Sequence, residues 1–182
     1  MRIGIDISQI VYTGTGVGTY VRRMVETLLK LDTKNDYVLF GASFRRKYVF
    51  EQFYNEVKKL NLNVKLVSVA IPPSLLDIIW NRLHIMPVEK LTGPLDIFWS
   101  SDWTQPPLAH AKGITTIHDL STIRFPKEMD ARIVATHARR LGWVKKECTA
   151  ILCDSESTKK DITELLHIPE NRLHVIYPGV SV

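Results

Sequence analysis

The sequence predicts an α/β domain built on a doubly wound, mainly parallel sheet of about seven strands with helices on both faces. Two observations lead to this prediction. Short, nearly continuous apolar runs, typical of strands buried on both faces, alternate with segments whose apolar residues recur every three or four positions. The length of 182 residues and the hydrophobic content of 45% suit one domain with a sizeable core. We therefore expect a single domain over residues 1–182.

Apolar runs and helical periodicity assign the elements in order. The predicted strands are 3–7, 37–40, 64–69, 95–99, 114–117, 150–153 and 173–177. The predicted helices are 20–31, 50–60, 75–83, 134–144 and 155–166. Asp154 or Ser155 is the expected N-cap of the last helix, since a short side-chain oxygen accepts hydrogen bonds from the free amides of a first turn. The alternation is that of a Rossmann-like domain.

The charge of the chain is compatible with several kinds of anionic partner, because the net charge is +5 and the isoelectric point is near 9.2. Basic residues form only short clusters at 45–47, 139–140 and 145–146, which are typical of solvated helix faces. A nucleic-acid partner is therefore not expected. No apolar run reaches the roughly 20 residues needed to cross a bilayer or resembles a signal peptide, so we expect a cytoplasmic protein.

The chain has two cysteines, Cys148 and Cys153, at the sixth predicted strand. We expect both to be buried, reduced thiols, as suits a cytosolic protein. No other metal-ligating residues accompany them in a recognisable spacing, so a zinc site is not expected.

A glycine-rich loop at 13–19 joins the first predicted strand to the first helix. Open parallel sheets bind ligands at this edge, and a helix N-terminus that starts there presents free amides to a phosphate. The dinucleotide-binding pattern is incomplete, because the sixth position counted from Gly14 is Thr19, and no Lys-Ser or Lys-Thr pair follows the glycines. The loop is therefore either a phosphate-binding loop or a tight turn without a ligand.

Polar residues follow three other predicted strands at the same edge. His118 and Asp119 come after the fifth strand, where an imidazole can exchange a proton with a hydroxyl and a carboxylate can bind one. Residues 100–107 follow the fourth strand, and there Trp103 can stack on a sugar ring while Asp102 and Gln105 bind hydroxyls. Ser155 follows the sixth strand. Each of these residues has a structural alternative: loop residues often satisfy backbone groups, and a tryptophan is often a core residue.

Four motifs at this edge resemble those of glycosyltransferase family 4. They are Gly-Val-Gly-Thr-Tyr at 16–20, Thr-Ile-His-Asp-Leu at 116–120, Ser-Glu-Ser-Thr at 155–158 and Val-Ile-Tyr-Pro-Gly-Val at 175–180. The resemblance implies that the chain is the N-terminal, acceptor-side half of a two-domain GT-B enzyme. The donor-binding half is then expected beyond residue 182, in cis or in trans, and the chain alone is expected to be inactive.

The resemblance also implies roles for individual residues. Gly16, Val17 and Gly18 would face the diphosphate of a nucleotide-sugar donor, and His118 would lie near the transferred sugar. The sugar would pass to a hydroxyl acceptor with retention of configuration, without a metal or other cofactor. The acceptor would be a sugar or a lipid-linked molecule, and basic or amphipathic segments at 45–47 or 72–83 are candidates for peripheral contact with the inner face of the membrane.

Two other functions remain open at this point. The chain could be a complete, non-catalytic subunit that binds an acceptor or a separate donor-binding polypeptide. It could also be a nucleotide-binding Rossmann protein of another class. The gene sequence after Val182 distinguishes the first alternative from the transferase half: a stop codon there favours the subunit, and a continuing reading frame favours the transferase half.

Overall fold

The computed structural model describes residues 1–179 and confirms the predicted fold class. Its sheet has seven strands, all parallel, in the order β3-β2-β1-β4-β5-β6-β7. The strands are β1 (Arg2–Asp6), β2 (Asp36–Ala42), β3 (Val64–Val69), β4 (Ile97–Ser100), β5 (Lys112–Ile117), β6 (Cys148–Cys153) and β7 (Leu173–Val175). The predicted last strand was too long, because β7 ends at Val175 and not at Tyr177.

The helices cover both faces of this sheet. They are α1 (Gly16–Leu31), α2 (Lys47–Val57), α3 (Pro73–Leu76), α4 (Glu89–Thr92), α5 (Ser121–Arg124), α6 (Ala131–Glu147) and α7 (Glu156–Asp161). Helices α3 and α7 continue as π-helical turns over Asp77–Arg82 and Ile162–Leu166, and short 3₁₀ turns lie at Ser8–Val11, Pro126–Glu128 and Glu170–Arg172. The short helices α4 and α5 were not predicted.

Burial of β2 on both faces shows the double winding directly. Leu39 packs in a core with α1 and α2, whereas its neighbours Val38 and Phe40 pack in a second core with Leu76 and Trp80. The side chains of a strand alternate between faces, so these neighbours must enter different cores. The strand order reverses between β1 and β4, and such a topological switch point is where an open α/β sheet forms a ligand crevice.

Within residues 1–179 no helix is long enough and apolar enough to span a bilayer. Both cysteines are free and buried in β6, as predicted.

Burial raises the pKa of Cys148 to about 12 and that of Cys153 to about 11, so both thiols stay protonated near neutral pH. We expect iodoacetamide at pH 8 to alkylate the folded chain at least about 100-fold more slowly than the chain in guanidinium chloride, since the thiolate is the nucleophile. Mass spectrometry against time measures both rates. Equal rates would mean that β6 is not buried.

Candidate functional site

The carboxyl ends of four adjacent strands carry the candidate site. The strands β1, β4, β5 and β6 are neighbours in the sheet and all run the same way, so the loops that follow them lie side by side. Contacts between these loops confirm that they meet. Tyr20 of α1 lies with its ring 4.9 Å from that of His118, and the His118 ring bonds Asp154, which follows β6.

His118 is held on two sides. Its Nδ1 lies 2.6 Å from Oδ2 of Asp154, and because a carboxylate only accepts, Nδ1 carries the proton of this bond. The Tyr20 ring meets the imidazole edge-on, at an interplanar angle of 87°. No residue that the structure describes bonds Nε2, which is therefore the nitrogen free to accept from or donate to a ligand.

The sequence left open whether Asp154 or Ser155 caps the last helix, and the structure gives the two residues different roles. Ser155 is the N-cap of α7, and its Oγ accepts from the amide of Thr158 at 3.1 Å. The Thr158 hydroxyl donates to the backbone oxygen of His118 at 3.0 Å, so the proton between the two hydroxyls comes from Ser155. The Ser155 hydroxyl is therefore engaged in holding the β5 and β6 loops together. Asp154, which the sequence did not predict as a site residue, orients the imidazole.

The two glycines at the start of α1 have different surroundings. Gly18 is buried, and a Cβ there would lie 2.9 Å from the carbonyl oxygen of Tyr12 and 3.0 Å from that of Gln9. Gly16 is exposed, and a Cβ there would meet no atom within 4 Å. Gly18 therefore lets the helix pack closely on the preceding 3₁₀ turn, whereas Gly16 leaves space above the helix N-terminus.

The N-terminus of α1 retains free hydrogen-bond donors. Thr15 is the N-cap, and its Oγ1 accepts from the Gly18 amide at 3.1 Å. The amides of Gly16 and Val17 have no acceptor within residues 1–179. The first turn holds no acidic residue, and the positive end of the helix dipole remains uncompensated there. This geometry suits a phosphate oxygen.

The loop after β4 contains both site candidates and a structural residue. Asp102 is partly buried, and its Oδ1 has no hydrogen-bond partner in the described part of the chain. The Trp103 ring packs edge-on against His137, with ring centres 5.4 Å apart. Gln105 was predicted to bind hydroxyls, which is wrong: it is 0% exposed, accepts from the Ser100 hydroxyl at 2.6 Å and cannot reach a ligand.

Asp119 lies at the surface beside this group. Its Oδ1 accepts from the amide of Ser121 at 2.8 Å, which holds the turn that leads into α5. The carboxylate is exposed and retains lone pairs for a ligand.

Two buried charged residues support the loops and were missed by sequence reasoning. Asp6 ends β1 and is 2% exposed; burial, with Asp102 nearby, raises its pKa. Arg140 is also 2% exposed, and its guanidinium donates to the Ser101 oxygen, the Thr115 hydroxyl and the Thr116 oxygen. The prediction that residues 139–140 form a solvated face is therefore wrong for Arg140. Burial lowers its pKa.

A cavity of about 320 Å³ lies at the switch point between the β1 and β4 loops and α3. It adjoins a larger open groove of about 580 Å³ between α3 and α6, and the two share Tyr12, Pro73 and Trp103 as lining residues. Within residues 1–179, no group of three or more His, Cys, Asp or Glu side chains is placed to hold a metal ion.

Open, doubly wound α/β sheets bind their ligands at the carboxyl edge of the strands, where this domain holds its glycine loop and the fixed imidazole of His118. The family model of Glycosyltransferase Family 4 matches residues 14–182, and the chain belongs to this family. No curated protein matches the sequence. Among solved structures, a short-chain dehydrogenase from Oenococcus oeni PSU-1 is similar with 12% identity and a TM-score of 0.46, over 98% of this chain and 96% of that one. A likeness this distant carries no argument about function.

The contrast between the two glycines gives a test of the site geometry. We expect Gly18→Ala to lower the free energy of unfolding by about 1 to 3 kcal/mol, because the added methyl group would press on two backbone oxygens. Gly16→Ala is the matched control and should leave stability nearly unchanged. Urea denaturation followed by circular dichroism measures both. Equal effects of the two substitutions would contradict the close approach at Gly18.

Proposed function

We propose that this chain is the acceptor-side domain of a retaining glycosyltransferase that moves a sugar from a nucleotide-sugar donor to a hydroxyl acceptor. Membership of glycosyltransferase family 4 supports the general activity. The observation that carries the proposal is the fixed imidazole of His118 beside the first turns of α1, where two amides are free. A phosphate at those amides would place the attached sugar close to the histidine.

The donor diphosphate would be stabilised by preorganised donors and not by a protein nucleophile. The amides of Gly16 and Val17 would donate hydrogen bonds to the leaving diphosphate, and the positive end of the helix dipole would stabilise the negative charge that develops on it. Gly18 contributes indirectly, since its small size sets the position of the helix. The nucleotide-sugar is a substrate, and the proposal includes no cofactor and no metal.

His118 would orient a hydroxyl of the transferred sugar through Nε2. The bond from Nδ1 to Asp154 fixes both the tautomer and the orientation of the ring, as carboxylates do for other functional histidines. On the acceptor side, Trp103 would stack on the acceptor, and Asp102 and Asp119 would bind its hydroxyl groups. Ser155 would act by holding the His118 loop.

The proposed partners are a donor-binding domain, in cis or in trans, and a sugar or lipid-linked acceptor. We place the protein in the cytoplasm, with peripheral contact to the inner membrane face, and propose no nucleic-acid partner. The segment 45–47 is flanked by exposed Phe44 and Tyr48, 63% and 57% exposed, and such basic and aromatic surfaces favour an anionic bilayer. In the second candidate segment, 72–83, Leu75 and Ile78 are exposed.

A transfer assay tests the role of His118. The protein expressed from its full reading frame is incubated with UDP-, GDP- and ADP-sugars, and donor turnover is measured. We expect His118→Ala to lower turnover by about 100-fold or more, because a positioned acid, base or hydrogen-bond donor contributes on that scale. Asp154→Asn should cause a smaller loss, since the amide oxygen still accepts from Nδ1.

The matched control is His110→Ala, which removes an exposed imidazole just before the amino end of β5, the end of that strand opposite His118. It should retain full turnover. If His118→Ala leaves turnover unchanged, the proposed role of His118 in sugar transfer is wrong. Absence of turnover with every donor, together with tight association with a separate donor-binding polypeptide, would favour the non-catalytic subunit.

A further inference from the structure

The groove between α3 and α6 combines an apolar floor with an excess of positive charge. Its apolar lining includes Tyr12, Pro73, Ile78 and Trp103. Tyr12 and Ile78 are 43% and 42% exposed, so the groove presents unprotected apolar surface to solvent. This surface is continuous with the cavity at the switch point through Tyr12 and Trp103.

Three arginines line the same groove: Arg82 from the turn after α3, and Arg132 and Arg139 from α6. The single carboxylate in the lining is that of Asp77. Its Oδ2 accepts from Arg82 Nε and from Arg139 Nη2, each at 3.1 Å. Although burial acts to raise the pKa of Asp77, bonds from Asn81 and Arg82 and the charge of Arg139 hold that pKa below its usual range. The carboxylate is therefore ionised, and it gathers two like charges in one place.

The arginines keep unused donors. Arg82 uses only Nε, and its side chain is 57% exposed. The Nε of Arg139 has no acceptor in the described part of the chain but is buried, so Arg139, whose side chain is 29% exposed, adds its charge to the groove and not this donor. Arg132 is exposed; Asp130, which accepts from its backbone amide, adds one carboxylate at the groove rim. A net positive charge remains after both carboxylates are counted, and guanidinium groups bind phosphate through paired N–H donors.

The geometry points to a phosphate-bearing amphiphile as the acceptor of this domain, with its apolar part on Ile78 and Trp103 and its phosphate on Arg82, Arg132 and Arg139. That this amphiphile is the acceptor rests on the proposed function, whereas its binding in the groove does not. Arg132 and Arg139 are two helical turns apart, about 10 Å along the axis. They therefore suit an extended anion, such as a diphosphate or a phosphodiester, better than a single carboxylate.

A structural explanation competes with this one: the Asp77 cluster joins the turn after α3 to α6 as an ion-pair network. That explanation accounts for Arg139, which also donates to the Thr136 hydroxyl at 3.1 Å. It does not account for Arg132, which has no side-chain partner within residues 1–179, or for the exposed apolar floor. The two explanations differ in the effect of Arg132 on binding.

The test measures binding of decyl phosphate, below its micelle-forming concentration, to the full chain by calorimetry at low salt. We expect decyl phosphate to bind at least about 10-fold more tightly than the uncharged decanol and than inorganic phosphate, since only decyl phosphate fills both halves of the groove. Arg132→Gln and Arg82→Gln should each weaken it about 10-fold, as expected for a lost charged hydrogen bond. Ile78→Ser should weaken the binding of decyl phosphate but leave the binding of inorganic phosphate unchanged.

Arg23→Gln is the matched control, because Arg23 is a 70% exposed arginine on α1 away from the groove. It should bind like the unmodified chain, and thermal melts show whether each variant is folded. Decyl phosphate that binds no better than decanol, or Arg132→Gln that binds like Arg23→Gln, would overturn the inference.

Vesicles distinguish a bound molecule from a bilayer surface. If Arg82→Gln and Arg132→Gln weaken binding to vesicles with 30% anionic lipid but not binding to decyl phosphate, the arginines contact a bilayer and the proposed groove ligand is wrong. His118→Ala should keep full affinity for decyl phosphate. If the unmodified chain does not bind decyl phosphate in the groove but His118→Ala lowers turnover, this inference alone fails. If decyl phosphate binds as expected but His118→Ala leaves turnover unchanged, the proposed function alone fails.

Discussion

The guanidinium of Arg140 joins the carboxyl ends of β4 and β5 from inside the domain. A buried cation loses its hydration, a loss of several kcal/mol even after relaxation. Here three oxygens replace the water: the Ser101 carbonyl, the Thr115 hydroxyl and the Thr116 carbonyl. The Ser101 carbonyl immediately precedes Asp102, and that of Thr116 lies two residues before His118. One side chain thus fixes the start of both loops that carry predicted site residues, and removing it would leave buried acceptors without donors.

A second set of bonds ties the β5 loop to the β6 loop. The Ser155 hydroxyl bonds Thr158, Thr158 donates to the His118 carbonyl, and Asp154 accepts from the His118 ring. The backbone and the ring of His118 are thus held by different residues from the same neighbouring loop. With Tyr20 packed edge-on against the imidazole, three elements of the fold determine where Nε2 lies.

The sequence predicted the strands well because a strand buried on both faces must be apolar throughout, as in β2. It predicted that the loop with His118 lies at the ligand-binding edge of the sheet, because every loop that follows a strand of a parallel sheet lies at that edge. It could not show that Asp154, one residue before the cap Ser155, turns to the histidine, because this depends on β5 and β6 being neighbours. Arg140 carried a signal that was missed: it lies four residues before Val144 and so shares the apolar face of α6. The clash at Gly18 depends on carbonyl positions that no spacing encodes.

The glycine loop shows why one short segment can serve both the fold and a ligand. Successive helical residues point about 100° apart, so Gly16 and Gly18 face different directions at the same helix end. The side of Gly18 is closed by the backbone of the 3₁₀ turn, and this contact keeps the helix end from shifting. The side of Gly16 stays open, at the same helix end as the free amides of Gly16 and Val17. A rigid amide pair binds an anion better than a mobile one, because no ordering entropy is lost on binding. The tight packing at Gly18 is therefore what makes the open space at Gly16 useful to a phosphate.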